Sequence, residues 1–255
     1  MSVSISSAIF SKFPQTRVAF AVVEGTVGSA KKGPVAKFLS EYKQEVVRRT
    51  KEAGVTLENV GELPVCKSWE RVFTTYGVDS SYRSTIHNLL DRAAREALKL
   101  DEGKKADMGK ISDIVDLYNC VSIETQTPMG ALSESALQGD VVLRFGEEGE
   151  TFTPLGRTEE TLPVKPSHVV YADDESVLTW LWNYRDAAHA CVPKSSGASF
   201  RVIVFADQAD AEGGDVTRAI DLLCEKVGQI GWKVLQKETL DANRPSAKLV
   251  EKAMA

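Results

Sequence analysis

The residues best suited to chemistry lie together in DLYNCVSIETQTPMGAL, from Asp116 to Leu132. One amide, Asn119, interrupts an apolar, β-prone run from Leu117 to Ile123. A polar patch, Glu124 to Thr127, then leads into Pro128-Met129-Gly130. Read as a strand that carries Asn119 into a tight Pro-Met-Gly turn, the stretch offers a side-chain amide beside bare backbone N–H groups. Glycine, with no Cβ, would let a ligand approach that backbone closely. A second group ends the aromatic run VLTWLWNYRD: Asn183, Arg185 and Asp186 close a core strand, and polar groups in that position need partners. A third is cationic. Arg83, Arg92, Arg95 and Lys99 fall on the polar side of one amphipathic segment, and Lys104, Lys105 and Lys110 follow in a loop. Such a face is ordinarily just solvated; its excess of positive charge makes an RNA-facing surface the alternative.

Other chemistries lack their residues. The three histidines, His87, His168 and His189, form no HxH or HExxH pattern, so no metal site is expected. The four cysteines, Cys66, Cys120, Cys191 and Cys224, are far apart with no CxxC, which argues against zinc and disulfides and for a reducing compartment. His189 and Cys191 lie two residues apart, but nothing around them marks a thiolate. The segment GTVGSAKKG, Gly25 to Gly33, lacks the GxxxxGK[ST] spacing and reads as a plain loop. There is no GxSxG elbow, and no cofactor is expected. Net charge is −5, so the chain is no general nucleic-acid coat; any RNA contact must be local and salt-sensitive. No apolar run reaches the ~18 residues that span a bilayer. A cytoplasmic location is expected, with a mitochondrial transit peptide at the acid-free N-terminus as the minor alternative.

These residues need a scaffold, and 255 residues with 43% hydrophobic content supply one. Residues 1–16 read as a flexible or lightly docked start. Arg17 to Val27 reads as a buried strand. Val35, Phe38, Leu39, Tyr42, Val46 and Val47 give one face of a helix that Pro34 opens and Gly54 closes. Leu57 to Ser81 shows no clear period. Ile86, Leu89, Leu90, Ala93, Ala94, Ala97 and Leu98 define a helix from Tyr82 to about Leu100. Val141 to Phe145 and Thr151 to Leu155 flank GEEGE as one hairpin, and His168 to Ala172 and Val177 to Asn183 flank DDES as another. Alternation puts Trp180, Trp182 and Tyr184 on one face, with Leu181, Asn183 and Arg185 on the other. Strand Phe200 to Ala206, helix Asp215 to about Gln229 and strand Trp232 to Gln236 follow. The expected architecture is one α+β domain over 17–238, helices packed on a largely antiparallel β core, with 239–255 as a peripheral tail.

Four blocks in order, WERVFTTYGVDSSYRSTIHNLLDRAARE, ISDIVDLYNCVSIETQTPMGAL, QGDVVLRFGEEGETFTPLG and HVVYADDESVLTWLWNYRD, resemble a stand-alone B3/B4 domain, the module otherwise embedded in the β subunit of bacterial phenylalanyl-tRNA synthetase. The resemblance runs from about Trp69 to Phe205. It implies an α+β fold with a β-sandwich-like core and, as activity, hydrolysis of a mischarged aminoacyl-tRNA, in trans for a separate protein. It implies tRNA as partner and an association with the translation machinery. In this reading Asn119, Gly130 and Asp186 form the catalytic group. Asn119 matches an Asn of the family's editing pocket, where it could orient water or the terminal ribose. Gly130 stands where the family pattern has a His after Pro-Met. The family's Gly-Gly-Glu falls near Arg185 to Ala187, with Asp186 nearest to a Glu that reads a tyrosine hydroxyl. Arg185 in place of a glycine fills space, so tyrosine is not the expected ligand. Backbone N–H groups around Met129 and Ala131 would hold an oxyanion. Glu124 or Asp186 would hold the substrate ammonium or act as a base, and Asn183 and Arg185 would touch the substrate. A non-catalytic tRNA- or protein-binding module is the alternative that the missing His suggests, and an amino-acid sensor is a third reading. No ATP-binding synthetase core is present in the sequence.

Overall fold

The longest uninterrupted apolar run, Val18 to Val23, is completely buried and forms the middle of a central strand. The computed structural model describes residues 1–28, 33–157 and 159–251. In chain order the elements are β1 (Ser2–Ile5), α1 (Ser7–Lys12), β2 (Arg17–Thr26), α2 (Pro34–Glu52), α3 (Pro64–Thr74), α4 (Thr85–Asp101), α5 (Asp113–Thr125) and β3 (Met129–Ser133). Then come β4 (Val141–Phe145), β5 (Thr151–Phe152), β6 (Leu162–Pro163), β7 (Val169–Ala172), β8 (Val177–Trp180), β9 (Arg185–Asp186), β10 (Ser199–Gln208), α6 (Val216–Gln229), β11 (Lys233–Leu240) and β12 (Ser246–Lys248). One sheet has the order β11-β2-β10-β3 and is antiparallel throughout. A larger sheet, β12-β1-β4-β7-β8-β9, is antiparallel apart from the β1/β4 pair. The sheets meet where Tyr171 of β7 packs on Phe205 of β10, ring centroids 4.9 Å apart. Helix α6 covers the smaller sheet, and α2, α4 and α5 pack on one another beside it. The fold is α+β with a sandwich-like, mainly antiparallel core.

Several expectations need correction. Residues 1–16 are not loose: β1 sits between β12 and β4, and Val3 and Ile9 are fully buried. Residues 239–248 are likewise built in, since β11 runs to Leu240 and β12 pairs with β1. Leu57 to Ser81 contains α3, which buries Val65, Cys66, Trp69, Val72 and Phe73. That is a helical spacing, and Trp69 anchors it by donating to the Gly213 carbonyl at 2.8 Å. The GEEGE segment does not close a hairpin: β4 pairs with β7 and β1, while β5 pairs with β6. The DDES hairpin, β7 with β8, does form. Residues 29–32 of the Gly25–Gly33 loop, residue 158 and residues 252–255 of the tail lie outside the described residues.

The largest correction concerns Leu117 to Ile123, which is helix α5 and not a strand. Every residue from Asp113 to Ile123 is buried except Asn119. A helix buried on all sides has no polar face, so its apolar run cannot be told from a core strand by periodicity. Its ends decide the matter. The Ser112 hydroxyl accepts from the Val115 N–H at 3.4 Å, acidic Asp113 and Asp116 occupy the first turn, and Gln126 stops the helix in a left-handed conformation, φ 50°. Asp116 pairs with Lys43 at 2.7 Å, and Asp113 accepts from the Gly28 N–H at 2.7 Å, which fixes α5 against α2 and the end of β2. Ser112→Ala is expected to lower stability by ~1 kcal/mol, read as a reduced midpoint in thermal unfolding.

Candidate functional site

Asn119 faces a cavity of about 450 Å³ between α4, α5, the outer edge of β3 and the turn after β8. That volume is in the range of small-molecule sites. Of the eight candidate catalytic and substrate residues, Asn119, Met129, Gly130, Ala131, Asn183, Arg185 and Asp186 line this one cavity. Glu124 does not. It lies elsewhere on α5, accepts from the Tyr42 hydroxyl at 2.7 Å and pairs with Arg49. Helix α5 continues through Glu124, and at roughly 100° per residue a side chain five positions on points well away from Asn119.

Pro128-Met129-Gly130 is not a turn. Met129–Ser133 is the edge strand β3, paired with β10 on one side. The Asp207 N–H donates to the Pro128 carbonyl at 3.0 Å, and the Ser133 N–H donates away from β10, to Ala190, at 3.0 Å. Antiparallel alternation therefore turns the Gly130 N–H towards Phe205 and leaves those of Met129 and Ala131 facing the open edge. The bare donors survive the correction, on a strand edge instead of a turn. Gly130 itself has an ordinary backbone, and a Cβ there would lie 3.8 Å from Asp186 Oδ1, a normal contact. Space does not require glycine; the Asp186 carboxylate stands beside the place where a side chain at 130 would begin.

The aromatic strand also departs from simple alternation. It ends at Trp180, because Leu181 and Trp182 both adopt left-handed backbone, φ 53° and 66°. Two consecutive non-glycine residues in that region store strain, which often accompanies a site. The turn separates the two tryptophans. Trp180 packs on Tyr82, Phe152 and His168, whereas Trp182 packs on Trp69, centroids 5.1 Å apart, and Phe13. It also drops Asn183 into the cavity wall, 7% exposed, with neither end of its amide hydrogen-bonded.

Two carboxylates lie on the cavity floor. Asp186 accepts from the Thr179 hydroxyl at 3.3 Å. Burial pushes its carboxyl up to about 6 against that single hydrogen bond. Asp207, 2% exposed, accepts from the Tyr171 hydroxyl at 2.5 Å. Burial, with the nearby Asp186 charge adding to it, pushes Asp207 up to about 7. Trp182 lies close enough to pull the other way, although its buried N–H makes no hydrogen bond of normal geometry. The Tyr118 phenol, also in the lining, is pushed far up by burial and by Asp186. Neither Asp186 nor Asp207 forms an ion pair among the described residues. Sequence reading missed Asp207 by ending its strand at Ala206. The available signal was an acid placed directly after the apolar run Val202 to Ala206.

The cationic group divides. Arg95 pairs with Asp91 at 2.9 Å, Lys99 with Glu96 at 2.6 Å, Lys104 with Glu102 at 2.6 Å and Lys110 with Asp113 at 2.8 Å. Lys105 reaches Ser40 at 3.5 Å. Arg83 is exposed without an ion pair among the described residues, away from the cavity. Arg92 alone of the seven lines the cavity. Arg185, over the Tyr184 ring at 5.6 Å, and Lys194 join it there, and none of these three has an ion pair among the described residues. The cavity thus has a cationic rim and a carboxylate floor. His189 points elsewhere, exposed and 3.0 Å from the Ser176 hydroxyl, while Cys191 lines the cavity, so the two do not form a base–nucleophile pair. Among the described residues no cluster of His, Cys, Asp or Glu is arranged to hold a metal, and no helix is long and apolar enough to cross a membrane.

Residues 80–210 match the B3/4 domain family. The phenylalanine–tRNA ligase β subunit of Streptomyces avermitilis is 32% identical over 122 residues, 48% of this chain and 14% of that protein. That of Shewanella oneidensis is 28% identical over 156 residues, 60% of this chain and 18% of that protein. The chain therefore spans less than a fifth of either curated relative. An N-terminal fragment of the phenylalanyl-tRNA synthetase β subunit from Pyrococcus horikoshii aligns over 91% of this chain and 49% of that one, with 12% identity and a TM-score of 0.45. The matched segment takes in half of the chain and most of the cavity wall, from α4 through Asp207, and the chain belongs to the B3/4 domain family.

Proposed function

We propose that this chain hydrolyses the ester of a mischarged aminoacyl-tRNA in trans, with the acceptor end entering the cavity beside β3. The observation that carries this reading is the convergence of Asn119, the outward N–H groups of Met129 and Ala131, and Asp186 on one cavity with an unpaired cationic rim. An aminoacyl ester is already activated, so the site needs only to position water and hold the developing oxyanion. The Met129 and Ala131 N–H groups sit on a rigid strand edge, where donors can stabilise that charge without reorganising. Asn119 orients the water; its oxygen attacks the carbonyl carbon, the ester C–O bond breaks, and the ribose oxygen leaves with the proton that the water gives up. Asp186, beside Gly130, holds the α-ammonium, and Asn183 lines the acyl site. Arg92, Arg185 and Lys194 face the phosphodiesters. This moves the nucleic-acid contact from the outer face of α4, where most cations are already paired, to the cavity rim.

Purified protein is expected to release the amino acid from at least one member of a panel of mischarged tRNAs, and Asn119→Ala to slow that release roughly tenfold through misplaced water. The double variant Arg92→Ala/Arg185→Ala is expected to flatten the salt dependence of tRNA binding, each lost phosphate contact removing about one unit from the log–log slope. Arg95→Ala, whose charge is paired with Asp91, is expected to change it little. A panel with no turnover would sink the hydrolytic reading. One observation favours a second reading, a binding module without chemistry: Gly130 offers no side chain where the family resemblance has a histidine. Tight tRNA binding without release of amino acid is the result that would select it.

A further inference from the structure

The floor of the cavity holds two carboxyl groups, one more than the α-ammonium of an ordinary aminoacyl group can answer. Asp186 and Asp207 both line it; among the described residues they accept from the Thr179 and Tyr171 hydroxyls, with the Trp182 N–H also near Asp207, and neither has a cationic partner. Buried carboxylates are normally paired, and an unpaired one is costly to keep ionised. The Asn183 amide, nine-tenths buried in the same wall with both ends unpartnered, is an independent polar group suited to a ligand there. One carboxylate suffices for one α-ammonium. Asp186 is the partly exposed one, beside β3, where the ester would lie. Asp207, on β10 and 2% exposed, is the more deeply buried of the two, which suits it to the far end of an acyl side chain. Aromatic and aliphatic side chains would leave that second carboxylate without a partner.

Resting on the reading of this cavity as an aminoacyl-ester site, we infer that its substrate is the ester of a diamino acid, of the lysine or ornithine kind, with Asp186 facing the α-ammonium and Asp207 the side-chain ammonium. Esterification removes the amino acid's own carboxylate, so such a group enters with two positive charges to meet two carboxylates. A free diamine has the same two charges, but the unpaired Arg92, Arg185 and Lys194 at the rim repel it and attract one carried on a phosphodiester.

The test uses dinucleotides whose 3′ end carries lysine or its isostere norleucine in a non-hydrolysable amide linkage, with 1,5-diaminopentane as the third ligand, all measured by titration calorimetry. The lysyl compound is expected to bind roughly tenfold more tightly than the norleucyl one or more, and to release protons near pH 7 as Asp207 ionises. Asp207→Asn is expected to close that gap to within about twofold, by weakening lysyl and easing norleucyl binding, and to abolish the proton release. Equal or tighter norleucyl binding overturns the inference, as does failure of the lysyl compound to bind. Diaminopentane binding as tightly as the lysyl compound overturns the assignment to an aminoacyl group. Because the amide analogues cannot be cleaved, the outcome is separate from hydrolysis: tight lysyl binding beside an intact lysyl-tRNA would reject the deacylase and retain the specificity.

Discussion

Asp186→Asn is expected to lower the rate constant for deacylation, kcat/KM, by about a hundredfold, the largest effect of any single change in the cavity. The substitution keeps the shape and the hydrogen bond from Thr179 but removes the charge opposite the α-ammonium. Breaking one charge-assisted pair in a desolvated site costs roughly 2–5 kcal/mol, of which about 2.7 kcal/mol corresponds to a hundredfold. The same residue sets a pH limb. Burial holds Asp186 at about 6, so it is ionised at pH 8 and increasingly neutral below pH 6. The rate should fall as pH drops through about 6 in the wild type, and the part of that limb set by Asp186 should vanish in the variant. Asp207 titrates nearby, at about 7, and the two carboxylates influence one another, so the wild-type limb belongs to the pair and the variant keeps only the part that Asp207 sets. An acidic limb unchanged in Asp186→Asn would assign it wholly to another group and remove Asp186 from the site.

The second large effect is on stability. Asp207→Asn is expected to raise the thermal midpoint by roughly 5–10 °C at pH 8 and by almost nothing at pH 4. The sign follows from the direction of its titration. Burial raises the Asp207 carboxyl from 3.8 to about 7, so the folded chain holds a proton that the unfolded chain has already lost. Stability from this group is fully present below about pH 4 and is lost as pH rises through 7. At pH 8 the carboxylate is ionised in a nearly closed site, at a penalty of up to about 4 kcal/mol. The amide carries no such penalty and still accepts the Tyr171 hydroxyl. Differential scanning calorimetry of both proteins at the two pH values decides it; an equal change at both, or a loss at pH 8, would show that the carboxylate is not a buried, unpaired charge. Retention of a residue that weakens the free protein at neutral pH is the pattern expected where a ligand supplies the missing partner.

The amphipathic helices α2, α4 and α6, the strands β2, β10 and β11, and the β7–β8 hairpin were legible in the residue pattern. Each has one buried face, or a buried run of strand length, and clear stops such as Pro34 and the left-handed Gly54. The identities of seven cavity residues were legible too, because Asn119, Asn183 and Asp186 are polar groups set in apolar stretches where solvation alone does not account for them. What the pattern could not decide was geometry that depends on burial from all sides. Helix α5 has no polar face, so its period was invisible until its caps and its packing against α2 were in place. Glu124, expected in a polar patch after a strand, lies instead in the last turn of α5, which directs it to Tyr42 and Arg49. The left-handed pair Leu181 and Trp182 broke an alternation that local sequence supports; packing of Trp182 on Trp69 and Phe13 and its backbone N–H bond to the Val169 carbonyl at 2.6 Å hold it. Asp207 became part of the floor because β10 pairs with β3 and faces β7, contacts made between residues 36 to 77 positions apart. Local pattern determined which residues were available for chemistry; the long-range pairing of two sheets decided that two carboxylates would share one cavity and that its cations would stand at the rim.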